Sequence, residues 1–403
     1  MSSGLVFSEA DISHVTSSED SLRSQFLLDP DVIFLNHGSF GACPKPVFEV
    51  YQQWQLQLER QPVKFLGRQI DDLLDKARAD LAAYVNADTE DVIFVPNATA
   101  GINMVARSLN LQPGDEILTT DHEYGAMDYT WLFVTGKTGA SYIRHPIPLP
   151  VTSAEEVVES LWKAITPRTR VIFLSHVTSP TSLILPVAEI CRRARQAGIL
   201  TAIDGAHAPG QIPVDLKAID PDFYAGNCHK WLCAPKGCAF VYVRHDHQSM
   251  MAPLVISWGW LEDASFVTRN QKQGTRDPAA YLSVPAAIEF QSANHWEAVR
   301  ERCHALASDT RRRLGDLTGL PPISPDSPEW FAQMVTVPLP DGDVTEIKAR
   351  LYDEYRIEVP ASAWKGRNLM RISIQAYNIQ EDLDSLVKAL TELYHLPVVR
   401  EAQ

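Results

Sequence analysis

The sequence predicts an α/β fold with a mainly parallel sheet, followed by a smaller α+β domain at the C-terminal end. Short apolar strands alternate with amphipathic helices between residues 91 and 244. This alternation is typical of a parallel sheet covered by helices on both faces. From residue 286 the pattern changes to long helices separated by two strands. A chain of 403 residues is long enough for more than one domain.

The elements are predicted in chain order. Residues 1–30 are polar and acidic, and predict an N-terminal arm. The large domain, 31–285, begins with a short apolar run followed by a loop of small residues. Within it, apolar residues at helical spacing predict helices within 47–87, at 102–109 and at 187–196. Its strands are predicted at 91–95, 116–120, 170–176, 199–204, 222–227 and 238–244. The small domain, 286–403, is predicted to hold a helix at 296–314, the strands MVTVPL and LMRISI, and a final helix.

Composition excludes several classes of function. Lysine and arginine number 36 against 50 acidic residues, which gives a net charge of −14 and argues against nucleic acid or an anionic membrane as partner. The first fifteen residues lack a basic and apolar leader, and no apolar run is long enough to span a bilayer. Six cysteines are too few for a disulfide scaffold, so we expect a cytoplasmic protein. No metal site is predicted.

Chemically important residues follow two of the predicted strands. Asp204 ends the strand 199–204, and Lys230 comes just after the strand 222–227. Ligands of open α/β sheets bind at such carboxyl ends. Alone, each residue has an ordinary explanation, as a helix cap or a surface lysine. Together they suit pyridoxal phosphate, whose ring nitrogen needs a carboxylate and whose aldehyde needs an amine. The turn NATAG (97–101), just before a predicted helix, offers N–H groups for a phosphate.

The sequence resembles the class V aminotransferase branch of the fold-type I pyridoxal phosphate enzymes. Within that branch it is most similar to the isopenicillin N epimerase-like group, which also holds several C–S lyases. The resemblance extends from about Phe34 to Tyr394. It implies a seven-stranded sheet and pyridoxal 5'-phosphate as cofactor. The segments that carry it are FLNHGSFGACPKPV, FVPNATAGIN, SHVTSPTSLILPV, AIDGAHAPGQIPVDL, DFYAGNCHKWLCAPKGCAFVYV, QGTRDPAAYLSVPAAIEF and MRISIQAYN.

The resemblance implies roles for individual residues. Lys230 resembles the Schiff-base lysine, and Asp204 resembles the partner of the ring nitrogen. The expected phosphate ligands are Ala98, Thr99 and His229. His207 and His176 stand where neighbours of the ring's 3-oxygen are expected.

The substrate and the partner subunit are also expected to contact specific residues. Arg371 resembles the arginine that binds the substrate carboxylate, for which a bidentate guanidinium is suited. Asn36 and His37 resemble a loop that closes over the substrate. Gly274 and Thr275 resemble a segment that reaches the phosphate of a partner subunit, which implies a homodimer with shared active sites.

The residue that stacks on the cofactor ring has two candidates. Related desulfurases have a histidine there. Aligning EYGAMDYTW places Tyr124 at this position, whereas a register shifted by two places His122 there. Either side chain is a candidate catalytic acid or base.

Cysteine desulfurases of this family carry a mobile cysteine shortly before the carboxylate-binding arginine. Here that stretch, RIEVPASAWKGRNLMRIS (356–373), contains none. Of the six cysteines, only Cys43 is expected on a loop of the cleft. The sequence therefore predicts that a sulfur product is released directly and is not stored on the enzyme.

The sequence leaves three reactions possible. After Lys230 removes the Cα proton of an amino acid, loss of a β-substituent gives a lyase, reprotonation on the other face gives an epimerase, and reprotonation on the cofactor gives a transaminase. A C–S lyase acting on a cysteine derivative is the leading expectation. An inactive relative that only binds a partner is disfavoured, because Lys230, Asp204 and Arg371 are all present. Residues 258–260 (WGW) are expected either in a cleft loop or at a subunit interface.

Overall fold

The computed structural model of the protein describes residues 22–396. Most of the predicted arm, residues 1–21, lies outside the described residues. Its remaining part packs on the body of the protein, since the buried Phe26 ring lies edge-on to Tyr377 with 4.9 Å between ring centroids. Residues 22–30 are therefore held by aromatic packing.

The strands of the described chain form three sheets. In chain order, the strands are β1 (Ile33–Phe34), β2 (Val92–Val95), β3 (Glu116–Thr120), β4 (Ser141–His145), β5 (Thr169–Ser175), β6 (Leu200–Gly205), β7 (Phe223–Asn227), β8 (Ala239–Val243), β9 (Met334–Leu339), β10 (Ile357–Glu358), β11 (Ala361–Trp364) and β12 (Arg367–Ser373).

Helices surround these sheets. They are α1 (His37–Phe40), α2 (Lys45–Arg60), α3 (Pro62–Lys64), α4 (Ile70–Tyr84), α5 (Ala98–Ser108), α6 (Gly125–Thr138), α7 (Ala154–Trp162), α8 (Val187–Gln196), α9 (Leu216–Ile219), α10 (Phe266–Gln271), α11 (Ala279–Leu282), α12 (Val284–Ala293), α13 (Trp296–Thr318), α14 (Val344–Tyr355) and α15 (Gln380–Leu393). A π-helical turn, Phe65–Gln69, joins α3 to α4, and 3₁₀ turns lie at Thr89–Asp91 and His245–Met250.

The central sheet has seven strands in the order β2-β8-β7-β6-β5-β3-β4, which confirms the predicted fold class. Strands β3 to β7 run parallel to one another, and β8 is antiparallel to both of its neighbours. Its six buried strands begin and end within one residue of the predicted bounds. The sequence analysis missed β4, because this polar strand lies at the sheet edge with largely exposed side chains and lacks an apolar run.

The carboxyl ends of β5, β6 and β7 meet at one edge of the sheet. Ser175 pairs with Asp204 in register, and Gly205 pairs with Gly226. Helix α5 begins at the same edge. The first backbone N–H of this helix, that of Ala98, donates a hydrogen bond to the Asn227 side chain at 2.8 Å. The fold thus gathers residues from four separate segments of the chain at one place.

The C-terminal region adds an antiparallel sheet of order β11-β12-β9. The N-terminal strand β1 pairs with β10, so the chain's beginning is tied to this region. The predicted domain boundary at residue 286 falls inside α12, and the division into domains stays a prediction. None of the helices within residues 22–396 has the length and apolar character needed to cross a membrane.

Gly41→Ala is predicted to destabilise the protein. Gly41 has φ +71°, and an added Cβ would overlap the carbonyl oxygen of His229, next to Lys230. Gly114 has φ +89° with open space around it, so Gly114→Ala is a matched control. Both substitutions incur a positive-φ cost of about 1–3 kcal/mol, and the overlap adds about 1–3 kcal/mol for Gly41→Ala alone. We expect a clearly lower Tm for Gly41→Ala than for Gly114→Ala. Equal decreases in Tm would contradict the close approach of Gly41 to the His229 carbonyl oxygen.

Candidate active site

A cavity of about 190 Å³ opens at the carboxyl ends of the central strands. It brings together seven of the predicted site residues: Ala98, Thr99, Tyr124, Asp204, His207, His229 and Lys230. It is also lined by residues that the sequence analysis did not select: Ser39, Phe40, Asn97, Ser175, Val177, Ser179, Ala206 and Asn227.

Lys230 places its amine inside this cavity, where Nζ lies 3.2 Å from Nε2 of His207. Loss of hydration and the positive charge of Arg371 lower the pKa of Lys230 to about 7, against an opposing effect of Asp204. A lysine with this pKa is substantially neutral near pH 7. The amine is therefore available as a nucleophile and as a base.

Asp204 is buried at the end of β6. Its Oδ1 accepts a hydrogen bond from the backbone N–H of Ala206 at 2.9 Å. Burial raises the pKa of Asp204, because a carboxylate in this position lacks full hydration. A protonated ring nitrogen would supply the opposite charge that this carboxylate needs.

The start of α5 forms a polar end of the cavity. Asn97 caps this helix, because its Oδ1 accepts a hydrogen bond from the N–H of Ala100 at 2.8 Å. The N–H of Ala98 donates to Oδ1 of Asn227. The N–H of Thr99 has no hydrogen-bond partner within residues 22–396. A helix start with a free N–H is a site for a phosphate.

His229 lies at the same cavity. One nitrogen of its ring, Nδ1, contacts the carbonyl oxygen of Cys238 at 2.7 Å, which assigns the proton to Nδ1 and leaves Nε2 for a ligand. Burial lowers the pKa of His229 to about 4. A phosphate dianion at this end would favour protonation of the ring.

Arg371 projects from β12 beside the cavity. Its Nη1 donates to the carbonyl and hydroxyl oxygens of Ser179, and its Nη2 donates to Ser39 Oγ, each at 3.0 Å. Its Nε is buried without a partner, and no carboxylate within the described residues forms an ion pair with it. Burial lowers the pKa of Arg371 to about 10. An arginine without a counter-charge is suited to bind the carboxylate of a small ligand.

The predicted substrate loop contributes different side chains from those expected. His37 is fully buried behind the cavity, with Nε2 at 3.0 Å from the carbonyl oxygen of Lys230 and Nδ1 at 3.0 Å from the Tyr377 hydroxyl. Asn36 does not line the cavity either, and its Oδ1 accepts from Ser39 Oγ at 2.5 Å. The structure thus places Asn36 and His37 as supports, and Ser39 and Phe40 face the cavity.

Of the two stacking candidates, only Tyr124 lines the cavity. The two ring nitrogens of His122 are engaged elsewhere, with Thr181 Oγ1 at 2.8 Å and the Ile147 carbonyl oxygen at 2.9 Å. The ring of His122 also packs on Trp364, with 4.7 Å between centroids. The geometry therefore favours the register that selects Tyr124.

His176 also lies away from the cavity. Side chains alternate between faces at the end of β5, so Ser175 and Val177 face the cavity while His176 points to the other side and contacts the Tyr224 hydroxyl at 3.0 Å. Ser179, which lines the cavity further along the turn, was missed because period-two alternation stops where the strand ends.

Glu123 is another buried polar residue that the sequence analysis gave no role. Its carboxyl group accepts from Thr120 Oγ1 at 2.6 Å and from the N–H and hydroxyl of Ser175 at 2.8 and 2.6 Å. Burial raises the pKa of Glu123 to about 7. These contacts join the ends of β3 and β5 beneath the cavity.

Gly274 and Thr275 are not brought to this cavity. They line a separate cavity of about 380 Å³, together with Trp258 and residues of α4. Within residues 22–396, no group of three or more histidine, cysteine or acidic side chains is arranged to hold a metal ion.

Comparison with known sequences shows the family. A profile described as Aminotransferase class-V matches residues 42–386. The chain belongs to the class-V aminotransferase family. It is 38% identical to isopenicillin N epimerase of Amycolatopsis lactamdurans, over 94% of this chain and 99% of that protein. It is 30% identical to a probable chloroplastic L-cysteine desulfhydrase of Arabidopsis thaliana, over 94% of this chain and 86% of that protein.

Solved structures share the fold of this class-V family member. A complex of a cystine C–S lyase with its product cysteine persulfide matches with a TM-score of 0.80 at 23% identity, covering 90% of this chain and 98% of that chain. Family and fold together confirm that the protein uses pyridoxal phosphate. The residues of the cavity fit this cofactor: a free N–H at a helix start suits the phosphate, a buried carboxylate suits the ring nitrogen, and a neutral amine suits the aldehyde.

Lys230 in the cofactor-free protein is predicted to react as a neutral amine near pH 7. Reductive methylation requires an unprotonated amine, so labelling of Lys230 should rise with pH through about 7. Mass spectrometry of the Lys230 peptide, compared with peptides of exposed lysines, measures this profile. A midpoint near the ordinary lysine value of about 10.4 would contradict the prediction.

Arg371→Lys is predicted to weaken binding of an amino-acid substrate. A lysine keeps the positive charge but cannot donate two parallel hydrogen bonds to the substrate carboxylate. KM should therefore rise about tenfold to hundredfold. Arg192→Lys is the control, since Arg192 is an exposed arginine on α8 that pairs with Glu189 at 2.6 Å and lines neither cavity of the site. Steady-state kinetics should show a raised KM for Arg371→Lys alone, and equal values for both variants would contradict the assignment.

Proposed function

We propose that this protein is a pyridoxal phosphate-dependent C–S lyase that eliminates the sulfur substituent from a cysteine derivative. The observation that carries the chemistry at Cα, which all three candidate reactions share, is the pairing of Lys230, whose pKa is lowered to about 7, with Arg371, which has no ion-pair partner within residues 22–396. The relative named as a desulfhydrase supports the elimination of sulfur. The hairpin β11–β12 that carries Arg371 has no cysteine to store sulfur, which supports direct release.

The residues of the chain have separate tasks in this reaction. When bound, the cofactor supplies an electron sink that acidifies Cα of the substrate. Arg371 binds the substrate carboxylate and so fixes the position of Cα. Lys230 removes the Cα proton, and the Cβ–S bond then breaks with its electron pair leaving on sulfur. With uptake of water, the products are pyruvate, ammonia and a thiol. Tyr124, which lines the cavity, is the candidate acid for the leaving sulfur.

A second, larger cavity supports a substrate bigger than cysteine. It measures about 540 Å³ and shares Tyr124 and Ser179 with the inner cavity, and its walls include Arg371 and Trp364. A substituent on the sulfur has room there once the carboxylate is bound to Arg371.

An epimerase is the alternative, and the 38% identical isopenicillin N epimerase favours it. Epimerisation needs a second acid that delivers a proton to the other face of Cα. Tyr124 is the candidate, because His122 has both ring nitrogens engaged outside the cavity. A transaminase shares the same residues and differs only in where the proton returns.

The assay that decides between these functions measures pyruvate and Cα exchange together. The holoenzyme is given L-cysteine, L-cystine and a cysteine S-conjugate. We expect pyruvate from at least one, and a loss of more than about a thousandfold in Lys230→Ala, as expected when a catalytic base is removed. Incorporation of solvent deuterium at Cα without pyruvate would contradict the lyase and support an epimerase or transaminase.

We infer that the protein forms a homodimer with shared active sites. The segment 255–261 exposes large apolar side chains, including Trp258 at 88% exposure, next to the cavity that holds Gly274 and Thr275. Exposed apolar surface of this kind favours association. The cytoplasmic location stays a proposal as well, supported by six cysteines that are all free.

Trp258→Asp is predicted to weaken the dimer, because it places a charge in an apolar interface. Size-exclusion chromatography with light scattering should show a dimer for the native protein and an increased monomer fraction for the variant. Tyr352→Asp is the control, since Tyr352 is an exposed aromatic residue on α14 that does not line the cavity of Gly274 and Thr275, and this variant should stay dimeric. A native monomer at micromolar concentration would contradict the inference.

A further inference from the structure

We propose that Trp231 is a positioning residue that fixes the tautomer of His207, so that His207 donates a hydrogen bond from Nε2 toward Lys230 and does not accept one. Trp231 follows Lys230 directly in the chain, and its indole ring is completely buried. The inference goes beyond the proposed function, because it holds whether the reaction is elimination, epimerisation or transamination.

The chain of contacts assigns each proton. Nε1 of Trp231 donates to Nδ1 of His207 at 3.3 Å. An indole N–H is only ever a donor, so Nδ1 of His207 must be the acceptor and carries no proton. The proton of the neutral imidazole is then on Nε2. Burial lowers the pKa of His207 well below its usual range, which disfavours a doubly protonated ring.

The consequence falls on Lys230. Its Nζ lies 3.2 Å from Nε2 of His207, and a donor at Nε2 requires a lone pair on Nζ. An ammonium group has no lone pair and would instead place two N–H groups against each other. The Trp231–His207 pair therefore favours the neutral amine. When cofactor is bound, the same tautomer presents a donor, which suits the ring 3-oxygen beside which the resemblance places His207.

Other ionisable groups also act on Lys230 and have to be separated from this effect. Asp204 favours the ammonium form, and Arg371 disfavours it. The remaining groups are the histidines at positions 37, 207 and 229, each of which senses the charge of Lys230. Of these groups, only His207 loses a hydrogen bond when the indole N–H of Trp231 is removed.

The competing explanation is that Trp231 only packs. Its ring lies 5.0 Å from that of His37, and its carbonyl oxygen accepts from Gln291 at 2.8 Å. Packing alone predicts that loss of the N–H alters stability and leaves the protonation of Lys230 unchanged.

The first experiment observes the tautomer in the native chain. Protein labelled with ¹⁵N-histidine and stripped of cofactor is studied by NMR, and the signal of His207 among the 12 histidines is assigned with His207→Gln. We expect a protonated Nε2 and an unprotonated Nδ1. A proton on Nδ1 would overturn the proposal. The tautomer is read from the native chain, and the variant serves only to assign the signal.

The second experiment removes the donor. In Trp231→Phe the ring of His207 is free to protonate Nδ1 and accept from the Lys230 ammonium, so the midpoint of Lys230 methylation should rise by about one pH unit. Trp296→Phe is the matched control, since it removes another buried indole N–H, which donates to the Gly210 carbonyl oxygen at 3.1 Å. An unchanged midpoint in Trp231→Phe, or an equal rise in Trp296→Phe, would overturn the proposal.

Discussion

The site depends on one electrostatic constraint: two basic side chains, Lys230 and Arg371, lie beside one poorly hydrated cavity, and Asp204 is the carboxylate of the described residues that opposes the lowering of the Lys230 pKa. Like charges at close range in such surroundings are costly. Lysine can release a proton and arginine cannot. The constraint therefore produces a neutral amine and, beside it, a permanent cation that needs an anion. Those are the two groups that chemistry at the Cα of an amino acid requires.

The fold maintains this arrangement by bracing the loop of Lys230 from several directions. His37 from α1 contacts the Lys230 carbonyl oxygen, and Lys236 donates to the Gly41 carbonyl oxygen at 2.8 Å. Gln291 from α12 holds the carbonyl oxygen of Trp231. The N-terminal segment, the central sheet and the C-terminal region all converge here, so the loop cannot move away to relieve the repulsion. This explains why a site of so few residues needs contributions from most of the chain.

The sequence predicts the buried part of this architecture well and the turns less well. Apolar strands such as β2, with the sequence VIFV, are recognisable because burial on both faces leaves a continuous apolar run. Asp204 and Lys230 follow from their positions at strand ends. Side-chain direction beyond a strand end depends on turn geometry, which no residue pattern encodes, so His176 and His37 point elsewhere while Ser179 and Ser39 reach Arg371. The role of Trp231 depends on a contact between ring atoms that only the folded chain reveals.

The most direct test of this account is to reduce the holoenzyme with borohydride and map the modified peptide by mass spectrometry. The account predicts one phosphopyridoxyl group, attached to Lys230. The central claim is that Lys230 holds the cofactor through its neutral amine. Attachment to another lysine, such as Lys236 on the same loop, would contradict it, and so would the absence of any attached group.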